Sequence, residues 1–369
     1  MPHLSAPQAS VLALWSFGMV IAQSCGLTTV SSSLALLLGA KENSVRQRLR
    51  EWYYAKENKR GAGRCEVDVS QSFVPLLRWI LSWWPADEKR LALAMDATSL
   101  GQRLVVLAIS VVYRGCAIPV AWRVLPATEP GSWKEPWLDL FSAFEGLLSD
   151  DWVVIVLADR GLYAKWLWEA IRKCKWHPFL RINRRFYFRP NEGSQFTALS
   201  LAFQQPGCSW AGAGTCFKLH SIQATLLVRW EEGFAEPWLL LTDLPPQQAL
   251  PGWYGLRTWI EGGFKQIKSA GWQWQSTRMV DPQRATRFWL AIAVATLWVV
   301  SVGGQADAKL PASSLQSLPE NHIARHRPPR KSSPRLLSCF HRGWMVILAS
   351  LLAHRPLPFG SFIPEPWPT

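Results

Sequence analysis

253-WYGLRTWIEGGFKQIK-268 sets four polar side chains into an otherwise largely apolar run, at Tyr254, Arg257, Glu261 and Lys268. An α-helix turns about 100° per residue, so offsets of three, seven and fourteen bring all four within a stripe roughly 60° wide. The other faces carry Trp253, Leu256, Trp259, Ile260, Phe264 and Ile267. A helix apolar on most of its circumference is buried, and its polar stripe then lines a site rather than facing open water. Gly262 and Gly263 lie inside the same helix, where each costs about 1 kcal/mol relative to Ala. Something must approach closely there, either a sheet beneath the helix or a nucleic-acid backbone.

A buried helix needs a layer to cover, and the upstream chain supplies one. Residues 91–95 read as a strand ending at Asp96, and 104–113 and 117–124 as two more joined by an Arg114-Gly115 turn. A helix over 134–148 leads to 152–157, a short apolar run suited to a buried central strand, which ends at Asp159-Arg160-Gly161. A helix over 163–173 and a strand over 178–182 complete an alternating α/β block. Residues 184–250 differ: the apolar runs 186–188, 217–230 and 238–241 are separated by Gly and Pro and read as a β-rich insertion.

Residues 1–88 read as helical. A helix over 28–38, Gly39 and a short turn precede a basic amphipathic helix with Ser44 as its N-cap; Val45, Leu49 and Trp52 share one face while Arg46, Arg48 and Arg50 project elsewhere. This is the pattern of a helix-turn-helix, with the three arginines as the candidate DNA-binding face or an ordinary solvated one. The apolar runs 11–22 and 288–302 read as buried helices; the second has about fifteen residues, short of the roughly twenty that span a bilayer. No membrane association is therefore expected. Residues 304–340 are rich in Pro, Ser and Arg, and Arg325-His326-Arg327-Pro328-Pro329-Arg330-Lys331 reads as a flexible basic linker. The expected organisation is a helical DNA-binding domain (1–88), a core in two parts (89–183 and 251–303) around the insertion (184–250), and a basic Pro-rich linker and tail (304–369).

A formal net charge of +14 and a pI near 9.8 favour a polyanionic partner, nucleic acid before a membrane surface because the basic residues are spread along the chain. Seven scattered cysteines with no C-x-x-C pair read as reduced thiols of a cytoplasmic protein and argue against a zinc site. Most of the 23 Trp residues belong to the core, with base stacking a use for a few.

Three carboxylates complete the pattern. Asp96 and Asp159 end strands that become neighbours if the strands pair, and Glu261 on the covering helix would close a cluster of oxygen donors. Clustered carboxylates repel one another unless a cation compensates them, and hard oxygen ligands suit Mg²⁺ or Mn²⁺. In a strongly basic protein this is the set that two-metal phosphodiester chemistry uses.

Asp96, Asp159-Arg160-Gly161 and Tyr254-x₂-Arg257-x₃-Glu261-x₆-Lys268 resemble the DDE transposases of bacterial insertion sequences, specifically the insertion-sequence-four branch with its Tyr-Arg-Glu-Lys signature. The resemblance covers roughly residues 89–303. It implies an α/β, ribonuclease-H-like catalytic core interrupted by a β-rich insertion. Asp96, Asp159 and Glu261 would be catalytic metal ligands for Mg²⁺ or Mn²⁺, two ions in all, and Tyr254, Arg257 and Lys268 would hold phosphates of the transposon end. It further implies cut-and-paste transposition with a hairpin intermediate, a homodimer on paired terminal inverted repeats, and a flipped base stacked on a Trp, for which Trp238 or Trp230 are the candidates. The tail does not resemble a helical dimerisation domain. Two rivals stay open: a catalytically inactive, transposase-derived DNA-binding protein, and a ribonuclease-H-like nuclease without strand transfer.

Overall fold

A computed structural model describes residues 1–61, 64–128, 133–308 and 337–368. The basic run 325–331 lies outside the described residues. Four helices come first: α1 (Ala6–Ala22), α2 (Leu27–Leu38), α3 (Glu42–Trp52) and α4 (Phe73–Ser82). A capping box between Ser5 and Gln8 starts α1, and Gly39, at φ 61°, ends α2. The next helix starts earlier than expected, at Glu42 with Lys41 as its N-cap, so Ser44 lies inside it. An acidic residue in the first turn suits the helix dipole and replaces the missing cap.

The centre is a mixed α/β arrangement on one ten-stranded mixed sheet. Its strands are β1 (Arg90–Leu100), β2 (Leu104–Tyr113), β3 (Cys116–Pro126), β4 (Val153–Ala158), β5 (His177–Arg181), β6 (Tyr187–Pro190), β7 (Thr197–Ala198), β8 (Cys208–Cys216), β9 (Ile222–Trp230) and β10 (Trp238–Thr242), in spatial order β3-β2-β1-β4-β5-β10-β9-β8-β6-β7. Strands β1, β2 and β3 form an antiparallel meander; β1, β4 and β5 run parallel; the remaining pairings are antiparallel. Arg114 and Gly115 take φ values of 46° and 76°, the two left-handed positions of a tight hairpin turn. Every residue of β2 is buried, so both faces of the sheet are covered there.

The stretch 184–250 is β-rich as expected, but it extends the sheet: β10 hydrogen-bonds to β5 and carries β6–β9 with it. Two helices, α5 (Lys134–Ser142) and α6 (Lys165–Lys173), pack on each other, the first also against β2 and β3 of the meander and the second against β5. The first is shorter than the expected 134–148, because the chain breaks into three-residue turns and Gly146 adopts φ 67°. After the four-residue α7 (Leu199–Ala202), the chain reaches α8 (Trp259–Lys265), α9 (Pro282–Asp307) and α10 (Cys339–Leu352).

The long helix α9 is the hub of the core. By length and composition it could cross a membrane, yet 89% of its apolar window is buried within the protein, as expected for a core helix. Trp15 of α1 meets Phe288 edge-on at 5.2 Å, Trp52 of α3 donates to the Arg287 carbonyl, and Trp344 of α10 donates to the Val20 carbonyl. Helices α1 and α3 thus meet α9, while α4 packs on β3.

Candidate active site

Parallel pairing of β1 with β4 brings the two aspartates together. The register runs Leu93↔Val156 and Ala94↔Leu157, and two further steps along both chains set Asp159 beside Asp96. Asp96 is not at a strand end, as the sequence suggested: β1 continues to Leu100 because β2 still pairs with it after β4 has stopped. Its carboxylate therefore stands just beyond the C-terminal end of β4.

The segment bearing Tyr254, Arg257, Glu261 and Lys268 covers this edge, but it is not one α-helix. It is a 3₁₀ run over Pro251–Thr258, then α8, then a π turn over Gln266–Ala270. In a 3₁₀ helix residues three apart eclipse, which places Tyr254 and Arg257 on one side, and the four-residue step into α8 brings Glu261 onto Arg257. All four polar residues still point toward β1 and β4.

Arg257 is the centre of the cluster. Its Nη1 donates to Glu261 Oε1 at 2.9 Å and its Nη2 to Asp96 Oδ2 at 2.8 Å, with Asp159 Oδ2 at 3.9 Å. The residue is 4% exposed, and its Nε has no hydrogen-bond partner. Tyr254 donates from its hydroxyl to the Ala158 carbonyl at 3.3 Å and lies 3.4 Å from Asp159 Oδ1. Lys268 donates to Thr98 Oγ1 at 3.1 Å and to the Ser99 carbonyl, farther along β1. Burial pushes the Asp96 carboxyl above the usual carboxylate range; Arg257 and the Ala97 amide oppose this, and Asp159 and Glu261 add to it. Burial likewise raises the Tyr254 hydroxyl and keeps it neutral.

The glycines have a reason in the sheet. A Cβ on Gly263 would lie 2.7 Å from Ala117 Cβ, and one on Gly262 would lie 3.3 Å from the Gly115 carbonyl oxygen. They let α8 settle on the β2–β3 turn and the start of β3, so close DNA approach is not needed to explain them.

The donor set has the chemistry a hard divalent cation takes: three carboxylates converge on the Arg257 guanidinium, with Arg181 3.9 Å from Asp159. Among the described residues, however, no three His, Cys, Asp or Glu side chains are spaced to hold one ion. Asp96 and Glu261 each give one oxygen to Arg257.

Other candidates lie elsewhere. Arg46, Arg48 and Arg50 are exposed on α3 while Val45, Leu49 and Trp52 are buried, as the spacing predicts. Trp238 and Trp230 are both buried; the first meets Tyr254 edge-on at 5.1 Å and the second lies under the Arg184 guanidinium at 4.9 Å. A base stacking on Trp230 would have to take the place of Arg184. The sequence alone did not single out Arg181, whose Nη1 is 3.9 Å from Asp159 Oδ1 and which is 6% exposed. An Arg ending an apolar strand that runs parallel to the Asp159 strand was the available signal.

Residues 139–298 match the family model described as the Transposase DDE domain. The matched stretch holds Asp159, Tyr254, Arg257, Glu261 and Lys268, and Asp96 precedes it. Over that stretch the chain is similar to a transposase DDE domain. Among solved structures, the chain is similar to one described as a cryo-EM structure of the piggyBac transposase synaptic complex with hairpin DNA, at a TM-score of 0.37 and 11% identity, over 85% of this chain and 69% of that one. No curated protein matches the chain.

Proposed function

We propose that this chain is a DNA transposase of the insertion-sequence-four branch, with a ribonuclease-H-like core formed by β1–β5 and the helices on them. The observation that carries this is the convergence of Asp96, Asp159 and Glu261, from three distant segments, on the single guanidinium of Arg257. The transposase-domain match over 139–298 agrees with it.

Asp96, Asp159 and Glu261 would hold Mg²⁺ or Mn²⁺, which when bound supplies Lewis-acid activation of the attacking oxygen and charge stabilisation of the leaving one. Arg257 balances the carboxylates in the free chain and, once released from them, is placed to bind a non-bridging phosphate oxygen. Tyr254, neutral and anchored on the Ala158 carbonyl, fixes the orientation of the segment. Lys268 sits along β1, ready to hold the next phosphate of the strand. The reaction is end nicking by water, hairpin formation, and strand transfer by a 3′-hydroxyl into target DNA. Two protomers act on paired ends, and α3 with Arg46, Arg48 and Arg50 contacts the duplex outside the core.

The test uses DNA carrying the flanks of the coding sequence, Mg²⁺, and purified wild-type protein beside Glu261→Gln. Loss of a metal ligand is expected to lower cleavage by at least about 100-fold; equal cleavage would sink the site assignment. Joined target products distinguish a transposase from a nuclease without strand transfer.

A further inference from the structure

A second basic feature adjoins the carboxylates. A cleft of about 510 Å³ is lined by Arg160, Arg181, Asn183, Arg184, Arg185 and Glu236. Four arginines and one carboxylate line it, and two of the arginines, Arg160 and Arg181, reach that carboxylate. Glu236, in the loop before β10, accepts from Arg160 Nη1 at 2.7 Å and lies 3.7 Å from Arg181 Nη2. Arg181 thereby spans Asp159 on one side and Glu236 on the other. Arg184 is held over Trp230 and by the Phe203 carbonyl, and its buried Nε lacks a partner. The side chain of Glu236 is 43% exposed, so its carboxylate sits at the cleft's open side.

Arginines that recognise phosphate by paired N–H donors recognise a carboxylate in the same way. We infer that the cleft is a phosphodiester subsite for a DNA strand running past Asp159, and that Glu236 occupies it as an internal stand-in which the strand's phosphate displaces. This rests on the DNA-transposase proposal and adds to it a self-occupied subsite that lowers affinity for DNA lacking enough contacts to displace Glu236. Removing the negative charge of Glu236 should therefore strengthen binding, whereas removing an arginine should weaken it.

The experiment measures fluorescence anisotropy of labelled flank DNA with the full chain, without divalent ions, across a salt series. Glu236→Gln is expected to bind about two- to fivefold tighter, the worth of an exposed ion pair. Arg160→Gln and Arg184→Gln should bind more weakly, each lowering the slope of log K against log salt by about one. Thermal melts confirm that each variant folds. Wild-type protein that binds and cuts DNA while Glu236→Gln binds no more tightly overturns this inference and leaves the transposase proposal standing; wild-type protein that binds no DNA removes both. Inorganic phosphate at constant ionic strength is the second probe: if it raises the melting temperature of wild-type protein while DNA binding is indifferent to Arg160 and Arg184, the cleft takes a small anion and the strand assignment is wrong.

Discussion

Gly263 shows how one residue ties the site to the sheet. The helix-interior glycine gives up about 1 kcal/mol of helix propensity, and the compensation is contact with Ala117 of β3. Gly263→Ala restores the propensity but forces a methyl group to within 2.7 Å of the Ala117 Cβ, against a strand that cannot retreat. Overpacking costs about 1–3 kcal/mol and should outweigh the gain. A lower melting midpoint, with Gly262→Ala less affected because only the Gly115 carbonyl lies near, is the expected result; a Gly263→Ala protein more stable than wild type would refute it. At this scale the sequence was informative about which residues gather, since spacings of three and four survive in either 3₁₀ or α geometry. It was silent on the Arg257 hydrogen bonds, which depend on where β1 and β4 end relative to each other.

At the scale of elements, hydrophobic patterning found the strands whose composition is apolar and missed those whose stability is borrowed. Residues 104–113 became β2 with the same limits. Strand β8 went unread because Ser209-Trp210-Ala211-Gly212-Ala213-Gly214 is small and poor in strand formers; it exists by pairing with β9 along nine residues. Helix α10 was hidden behind a Pro- and Arg-rich stretch, although Ser338 as N-cap and Phe340, Gly343 and Ile347 at helical spacing mark it. Its seat on α9 depends on two glycines. A Cβ on Gly343 would lie 2.6 Å from the Gly303 amide nitrogen and 3.0 Å from its Cα, so the helices cross with backbones nearly touching. Gly343→Leu should prise α10 from α9 and lower stability by several kcal/mol, because the exposed face includes Phe340 and Ile347. Increased protease cutting within Cys339–Leu352, together with a lower melting midpoint, would register the detachment; unchanged protection of that helix would contradict it.

At the scale of the whole molecule, the chain's C-terminal part returns to the sheet and the site. Beyond α10, Phe362 packs among Trp83, Trp84 and Tyr113, the Ile363 carbonyl accepts from the Tyr113 hydroxyl and Arg114 Nε, and Trp367 meets Trp253 edge-on at 4.8 Å. Trp253 precedes Tyr254, so the strap buttresses the segment that carries the site. Its anchor is the ion pair between Arg114 and Glu365 at 3.1 Å, with side chains 10% and 5% exposed. Arg114 occupies the hairpin turn beneath Gly262, and the strap thereby clamps the turn on which α8 rests. Glu365→Gln keeps the shape and removes the charge, leaving a buried guanidinium without its carboxylate partner, a loss of about 3–5 kcal/mol for a buried pair. Arg160→Gln, which breaks a pair whose side chains are 47% and 43% exposed, should cost no more than about 1 kcal/mol. Melting the two variants side by side checks the contrast, and equal losses would show that the strap does not hold the hairpin. Because the clamp reaches Trp253, Glu365→Gln should also weaken metal-dependent DNA cleavage more than it weakens DNA binding: the carboxylates stay in place on β1 and β4, while the segment carrying Arg257 and Glu261 loses its support.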